Sequence, residues 1–274
     1  MWGCFPLYWA LLNHVNPSEV LIHRMLWAVP VLFLLVHFKP SWKNNFKESL
    51  SSKKELVFLF ITAILITINW GGYIYAVNLG RVVEASMGYF LSPVINMIGG
   101  YIFFHERISK LKQLAVLFAT VGALYYVFSG DSFPWLGFLV GFTFSAYGIA
   151  RKAMASSAVP GLYVETLILL PFLLIFSLWF YINYDIAFFN IDISTDILLF
   201  LAGAVTVLPL ALFTAGTKLL PLTTVGILFL ITPTIQFLIG YYLQNEAVNS
   251  NQLIGFVGVW AGLIIYSYAL VKNK

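Results

Sequence analysis

The residues that could do chemistry in this chain are two charged side chains set inside long apolar runs. Arg24 and Glu165 each lie about five residues into such a run. An ionisable group is costly to keep in apolar surroundings, so each is a candidate for ligand binding, coupling or gating. The four histidines show no metal spacing, and H-E-x-x-H, G-x-S-x-G and Walker motifs are absent. We therefore expect no catalytic residue, no metal site and no cofactor.

Both charged residues also have a purely structural explanation. Arg24 could extend along apolar surface towards water, or could meet Glu19 or Glu84. Glu165 could pair with a cation at the end of a neighbouring run, namely Arg151, Lys152 or Lys218. The sequence leaves these explanations and a functional role open.

Amide and aromatic side chains form a second group of candidates. Tyr89, Pro93 and Asn96 follow a spacing of four and three residues, which places them on one helix face. Aromatic walls with a few amides suit an amphipathic or aromatic solute, including a cationic one bound through cation–π contact. Interhelical hydrogen bonding and ordinary packing would use the same residues. The predicted substrate-binding residues are Asn69, Trp70, Tyr73, Tyr89, Asn96, Tyr147 and Gln236. Helix kinks are predicted at Pro93, Pro209 and Pro233, because proline frees a carbonyl four residues back.

The composition shows what must position these residues. Of 274 residues, 61% are hydrophobic and only 9% are charged, and the mean hydropathy is +0.90. A soluble domain carries about 25% charged residues. A soluble enzyme and a disordered chain are therefore excluded, and the single cysteine, Cys4, excludes a disulfide scaffold. The chain must use lipid as its main solvent.

Ten runs are long enough, or nearly long enough, to cross a bilayer as helices. They cover about 2–15, 20–38, 55–79, 84–104, 110–129, 133–153, 160–183, 196–217, 222–244 and 250–271. The first run is short, so the first helix is either truncated or strained for length. Two G-x-x-x-G pairs, Gly137/Gly141 and Gly258/Gly262, predict close helix packing. The fold class expected is an all-α polytopic membrane protein with ten transmembrane helices.

The charges fix an orientation for these ten runs. In an alternating model, 13 of the 15 Lys and Arg residues fall on one side, and only Arg24 and Arg81 do not. The positive-inside rule then places both termini in the cytoplasm. The excess of Lys and Arg over Asp and Glu is thus explained by membrane orientation, and no nucleic acid partner is expected. Acids mark the opposite side: Glu19, Glu84, Asp131, Asp185, Asp192, Asp196 and Glu246.

The chain contains an internal repeat at an offset of 140 residues. Pro93 matches Pro233, Glu106 matches Glu246, and the amide of Asn96 matches that of Gln236. We predict two five-helix repeats, residues 1–130 and 133–274. Because five is odd, the second repeat enters the membrane from the other side, as in many transporters. Aligning Pro30 with Pro171 makes Arg24 and Glu165 repeat equivalents. Equivalent positions then lie on opposite sides of the midplane, which predicts no direct contact between Arg24 and Glu165.

These residues also resemble a known family. The block from Asn69-Trp70 to Asn96, closing on Glu106-Arg107, resembles the RarD group of the EamA family in the drug/metabolite transporter superfamily. Further matches are His23-Arg24, Trp27, Tyr147-Gly148, Arg151-Lys152, Glu165-Thr166, Pro171, Thr206, Leu208-Pro209-Leu210, Phe213, Gly226 and Pro233-Thr234. The resemblance implies two inverted five-helix repeats around a substrate cavity. It also implies transport of small metabolites or drugs across the bacterial cytoplasmic membrane, without fixing a solute.

The leading hypothesis is a secondary transporter, specifically an exporter, that works by alternating access between two inverted repeats. Arg24 and Glu165 are its expected coupling or gating charges. The expected partners are a small amphipathic or aromatic molecule and the lipid bilayer, with a homodimer left open. The alternative is a non-transporting membrane receptor or scaffold, which needs no cavity open to both sides.

Overall fold

The structure, a computed structural model, describes residues 1–81, 84–85, 88–128, 133–243 and 250–272, and every regular element within these ranges is helical. The all-α membrane fold expected from the sequence is thereby confirmed. Three charged residues used above to orient the chain, Asp131, Glu246 and Lys274, lie outside the described residues. The helices are α1 (Phe5–Ala10), α2 (Pro17–Leu26), α3 (Ala28–Phe38), α4 (Pro40–Ser51), α5 (Lys53–Asn78), α6 (Ser92–Phe104), α7 (Lys110–Phe128), α8 (Trp135–Ala153), α9 (Ala158–Asn183), α10 (Ile193–Leu219), α11 (Leu222–Phe229), α12 (Ile231–Leu243) and α13 (Ser250–Lys272), with short 3₁₀ turns at Trp2–Cys4 and Tyr89–Leu91.

Six segments within the described ranges are long and apolar enough to cross a membrane. They are Pro17–Phe38, Lys53–Ala76, Ala158–Asn183, Ile193–Leu219, Leu222–Leu243 and Leu253–Lys272, and Tyr89–Phe104 is a shorter apolar helix. Each of the ten predicted runs contains at least one helix.

Local sequence signals explain where several helices begin. The side chain of Asn16 accepts a hydrogen bond from the Ser18 N–H, and Pro17 follows at the first helical position of α2. Asp192 caps the start of α10 with its side chain, because its Oδ1 accepts the Thr195 N–H at 2.8 Å. A hydrogen bond from the Ser194 hydroxyl and, to a smaller extent, the one from the Thr195 N–H lower the pKa of the Asp192 carboxyl.

Helix boundaries lie close to two of the three prolines where kinks are predicted. The helix of the fourth run begins anew at Ser92, directly before Pro93. The ninth run is divided after Phe229, and its second helix has Pro233 in its first turn. By contrast, α10 is one continuous helix through Pro209, so a bend there stays a prediction. The second run is also divided, at Trp27, where no kink is predicted above.

The chain forms two compact units, and each unit draws segments from both predicted repeats. The first unit comprises Met1–Leu7, Tyr75–Ile149 and Leu219–Lys274, and the second comprises Tyr8–Ile74 and Ala150–Lys218. The units group residues by contact, so the division into repeats at 1–130 and 133–274 stays a prediction.

Small residues hold the first unit together. Helices α7 and α13 approach so closely that a Cβ on Gly122 would lie 2.5 Å from the Gly255 carbonyl oxygen. Gly258 and Gly262 face the backbone of α7, and Gly137 and Gly141 face the backbone of Gly88. The packing role predicted for both G-x-x-x-G pairs is therefore confirmed.

We expect Gly122→Ala to destabilise the protein by about 1–3 kcal/mol, because the new methyl group meets backbone atoms that cannot move aside. Gly216→Ala is the matched control, since no atom lies within 4 Å of the Cβ position there and alanine favours a helix. Thermal unfolding in detergent measures both variants. Equal midpoints for the two would contradict the close packing of α7 on α13.

The second unit is built around α9, which packs against α2, α3 and α4. Ile22 and Met25 of α2 form a buried cluster with Leu173 and Phe180 of α9. Glu19 fastens one end of α2, since its carboxylate accepts the N–H groups of Ala187 and Phe188. These contacts fix α2 and α9, the helices that carry Arg24 and Glu165.

Candidate functional site

Glu165 is buried on α9 and is held by two side chains of the second unit. Its Oε1 accepts a hydrogen bond from the Thr62 hydroxyl at 2.5 Å and another from Arg151 at 3.3 Å. Only 2% of Glu165 is exposed, and Arg151 is fully buried. A carboxylate in such surroundings is tolerated because it is paired and hydrogen-bonded.

Arg151 is itself fixed by the start of α9. Its guanidinium donates to the carbonyl oxygens of Ser157 and Ala158, at 3.3 Å and 3.0 Å. Gly161 provides the space for this group, because a Cβ there would collide with the guanidinium. Of the three cations that could have met Glu165, the structure places Arg151 beside it, whereas Lys218 donates to the Met154 carbonyl.

Arg24 is buried on α2 among aromatic rings and a hydroxyl group. Its Nε donates to the Thr206 hydroxyl at 2.8 Å. Its guanidinium carbon lies 4.5 Å from the centre of the Trp70 ring and 5.1 Å from that of Trp9. Such cation–π contacts partly replace the lost hydration of a buried cation.

A narrow cavity in the second unit is lined by Glu165 and by two residues that contact Arg24. Trp70 and Thr206, which both contact Arg24, line it together with Glu165. The space open to the centre of a water molecule is about 20 Å³, enough for a water molecule but not for a larger solute. The remaining lining is mostly apolar: Met25, Ala28, Leu32, Ile66, Leu162, Thr166, Leu169, Val207 and Leu210.

The structure divides the predicted site residues between the two units. Arg24, Asn69, Trp70, Tyr73, Glu165 and Pro209 belong to the second unit, and Tyr89, Pro93, Asn96, Tyr147, Pro233 and Gln236 belong to the first. Asn69 and Tyr73 are buried on α5, and Tyr147 is fully buried on α8. A single cavity lined by residues of both groups therefore stays a prediction.

In the first unit, Tyr89 belongs to a cluster of four aromatic rings. Its ring lies 5.6 Å from that of Phe144 and 5.1 Å from that of Phe229. Trp2 contacts the same two phenylalanines, and these stack on each other at 4.6 Å. Each predicted repeat contributes two of the four rings. The rings pack directly on one another, as they would in a closed barrier, and such an arrangement is no less compatible with a barrier than with the wall of a binding site.

The two predicted amides of the first unit are buried next to close backbone contacts. Asn96 lies against Gly226, where a Cβ would be 2.9 Å from its Nδ2. Gln236 donates its Nε2 hydrogen to the Trp2 carbonyl oxygen at 3.1 Å. Within the described ranges, Oδ1 of Asn96 and Oε1 of Gln236 accept no hydrogen bond. Each amide thus retains an acceptor for a solute or for water.

Sequence reasoning missed Thr62 and Trp9 as neighbours of the charged residues. Both are common residue types of membrane helices, and nothing in their spacing distinguishes them from their neighbours. The hydroxyl of Tyr8, on α1, donates to the Leu198 carbonyl oxygen.

An all-helical fold in which six described segments are long and apolar enough to cross a membrane is that of a polytopic membrane protein. The model of the EamA-like transporter family matches residues 1–128. The transporter YojE of Bacillus subtilis, named as uncharacterized, is 38% identical over 100% of this chain and 92% of its own length. Protein RarD of Escherichia coli K12 is 32% identical over 97% of this chain and 90% of its own length.

A solved crystal structure shares the fold, with a TM-score of 0.69 and 14% identity over 96% of this chain and 92% of that one. The chain belongs to the EamA family and its closely matching relatives include RarD proteins, which confirms the resemblance seen in the sequence. This family typically has ten spans, the number predicted here. The protein is thus an integral membrane transporter of the drug/metabolite transporter superfamily.

Proposed function

We propose that this transporter exports small metabolites or drugs across the bacterial cytoplasmic membrane by alternating access between two inverted repeats, with both termini in the cytoplasm. The observation that carries the proposal is the cavity of the second unit, because Trp70, Thr206 and Glu165 line it and Arg24 contacts the first two. Buried charges beside a cavity are expensive in a membrane and are typical of solute pathways.

Substrate contact is proposed for Asn69, Trp70, Tyr73, Tyr89, Asn96, Tyr147 and Gln236, and coupling or gating for Arg24 and Glu165. The present cavity is too small for a solute, so transport requires a wider state of the same wall. Each repeat contributes two rings to the cluster of Trp2, Tyr89, Phe144 and Phe229, which we propose as a barrier that opens in that state.

The charges beside the cavity favour one kind of amphipathic solute. Arg24 already lies against the Trp70 ring, and Glu165 is already paired with Arg151. A cationic solute at Trp70 would therefore meet a like charge, whereas a neutral or anionic one would not. We propose an aromatic or amphipathic solute without positive charge.

A thermal-shift screen on the purified protein tests this proposal. Matched neutral, anionic and cationic aromatic compounds are compared, and a true ligand at 100 times its Kd stabilises the fold by about 2.7 kcal/mol. Trp70→Leu should remove the shift, and Trp179→Leu, at an exposed tryptophan on α9, should keep it. A shift caused by cations alone, or one retained in Trp70→Leu, would contradict the proposed site.

A further inference from the structure

The first unit carries a large groove that the transport site does not use. It lies between α6 and α7, has a volume of about 1270 Å³, and opens to the surface. Its walls are mainly apolar and well exposed: Tyr101, Ile102 and Leu117 are 67%, 56% and 57% exposed. In a membrane protein such a surface faces hydrocarbon chains rather than water.

One end of this groove is basic. Arg107 and Lys110, both exposed, line it where the chain turns from α6 into α7. Glu106 is the acid among the lining residues, and its Oε1 accepts the N–H of Leu222 at the start of α11. Lys112 extends the positive charge near this end, although its ammonium lies over the Tyr266 ring.

We infer that this groove binds an anionic phospholipid, with its acyl chains along the apolar walls and its phosphate at Arg107 and Lys110. An unfilled groove would forfeit dispersion contacts along its whole length, so hydrocarbon chains should occupy it. The orientation proposed above, which rests on the positive-inside rule, puts this end at the cytoplasmic leaflet, where basic pockets between helices select anionic headgroups. The acyl chains thus correspond to the apolar walls of the groove, and the phosphate corresponds to its basic end.

Native mass spectrometry of the purified full-length protein tests the inference, with phosphatidylglycerol and phosphatidylcholine of identical acyl chains as probes. We expect phosphatidylglycerol to bind more tightly. Arg107→Gln combined with Lys110→Gln should weaken it about 30-fold, because each cation near the headgroup contributes about 1 kcal/mol and tenfold in affinity is 1.4 kcal/mol. Leu117→Trp keeps both charges and should also weaken binding by narrowing the groove.

The control removes two positive charges elsewhere. Lys43 and Lys47 are exposed on α4, so Lys43→Gln with Lys47→Gln makes the same change in net charge. This variant should bind phosphatidylglycerol like the unchanged protein. The inference would be overturned if the control lost as much affinity for phosphatidylglycerol as the Arg107 and Lys110 variant. It would also be overturned if phosphatidylcholine bound as tightly as phosphatidylglycerol, or if glycerol phosphate without acyl chains displaced the lipid completely.

Discussion

Glu165→Gln is expected to lower turnover in proteoliposomes at least tenfold and to remove most of its pH dependence. Glutamine keeps the shape of the side chain and can still accept a hydrogen bond from the Thr62 hydroxyl. It carries no charge for Arg151 and cannot take up or release a proton. A tenfold loss corresponds to about 1.4 kcal/mol of activation free energy.

The matched control for this variant is Glu48→Gln, which makes the same chemical change at an exposed position on α4. The solute is one identified by the thermal-shift screen, and rates are measured at several pH values on both sides of neutrality. Turnover and a pH profile unchanged in Glu165→Gln would remove Glu165 from the mechanism.

The second large effect is on stability. Arg151→Met should cost about 3–5 kcal/mol, because it leaves the buried Glu165 carboxylate without its guanidinium partner. Adding Glu165→Leu should recover most of this loss, since two apolar side chains of similar size replace the pair. Unfolding in SDS, followed by tryptophan fluorescence, measures both variants.

Arg81→Met provides the comparison for Arg151→Met. The side chain of Arg81 is 38% exposed and pairs with Glu84, so its loss should cost no more than about 1 kcal/mol. If the Arg151 and Arg81 variants were equally stable, the buried pair of Arg151 and Glu165 would not stabilise α9 as the structure indicates.

Much of the fold could be predicted from the sequence, because apolar runs in lipid have few alternatives to a helix. The run predicted at 160–183 is α9, Ala158–Asn183. The break at Trp27 is not among the predicted kinks, although Pro30 cannot donate to the Leu26 carbonyl four residues back and so favours an interruption there. The backbone at the break also packs closely against Gly203. The segment between the second and third runs is not among the predicted helices, but it contains α4.

The site was only partly predictable for a related reason. Glu165 stands out because a carboxylate in an apolar run is rare, but its partner depends on which cation the tertiary structure brings near. Gly161 decides this by leaving room for Arg151. Thr62 gives no signal, because threonine hydroxyls in helices usually bond their own backbone, as Thr67 does with the Ala63 carbonyl.

Alternating access itself is tested most directly by cysteine labelling at positions 96 and 236. Cys4 is exposed and is the sole native cysteine, so a Cys4→Ser background leaves one thiol in each variant. Asn96 and Gln236 are 4% and 2% exposed, so labelling reports a conformation other than the one described. We predict that an impermeant reagent labels these positions from both sides of the membrane, to an extent that changes with ligand. Protection from both sides, with and without ligand, would contradict transport and favour a scaffold.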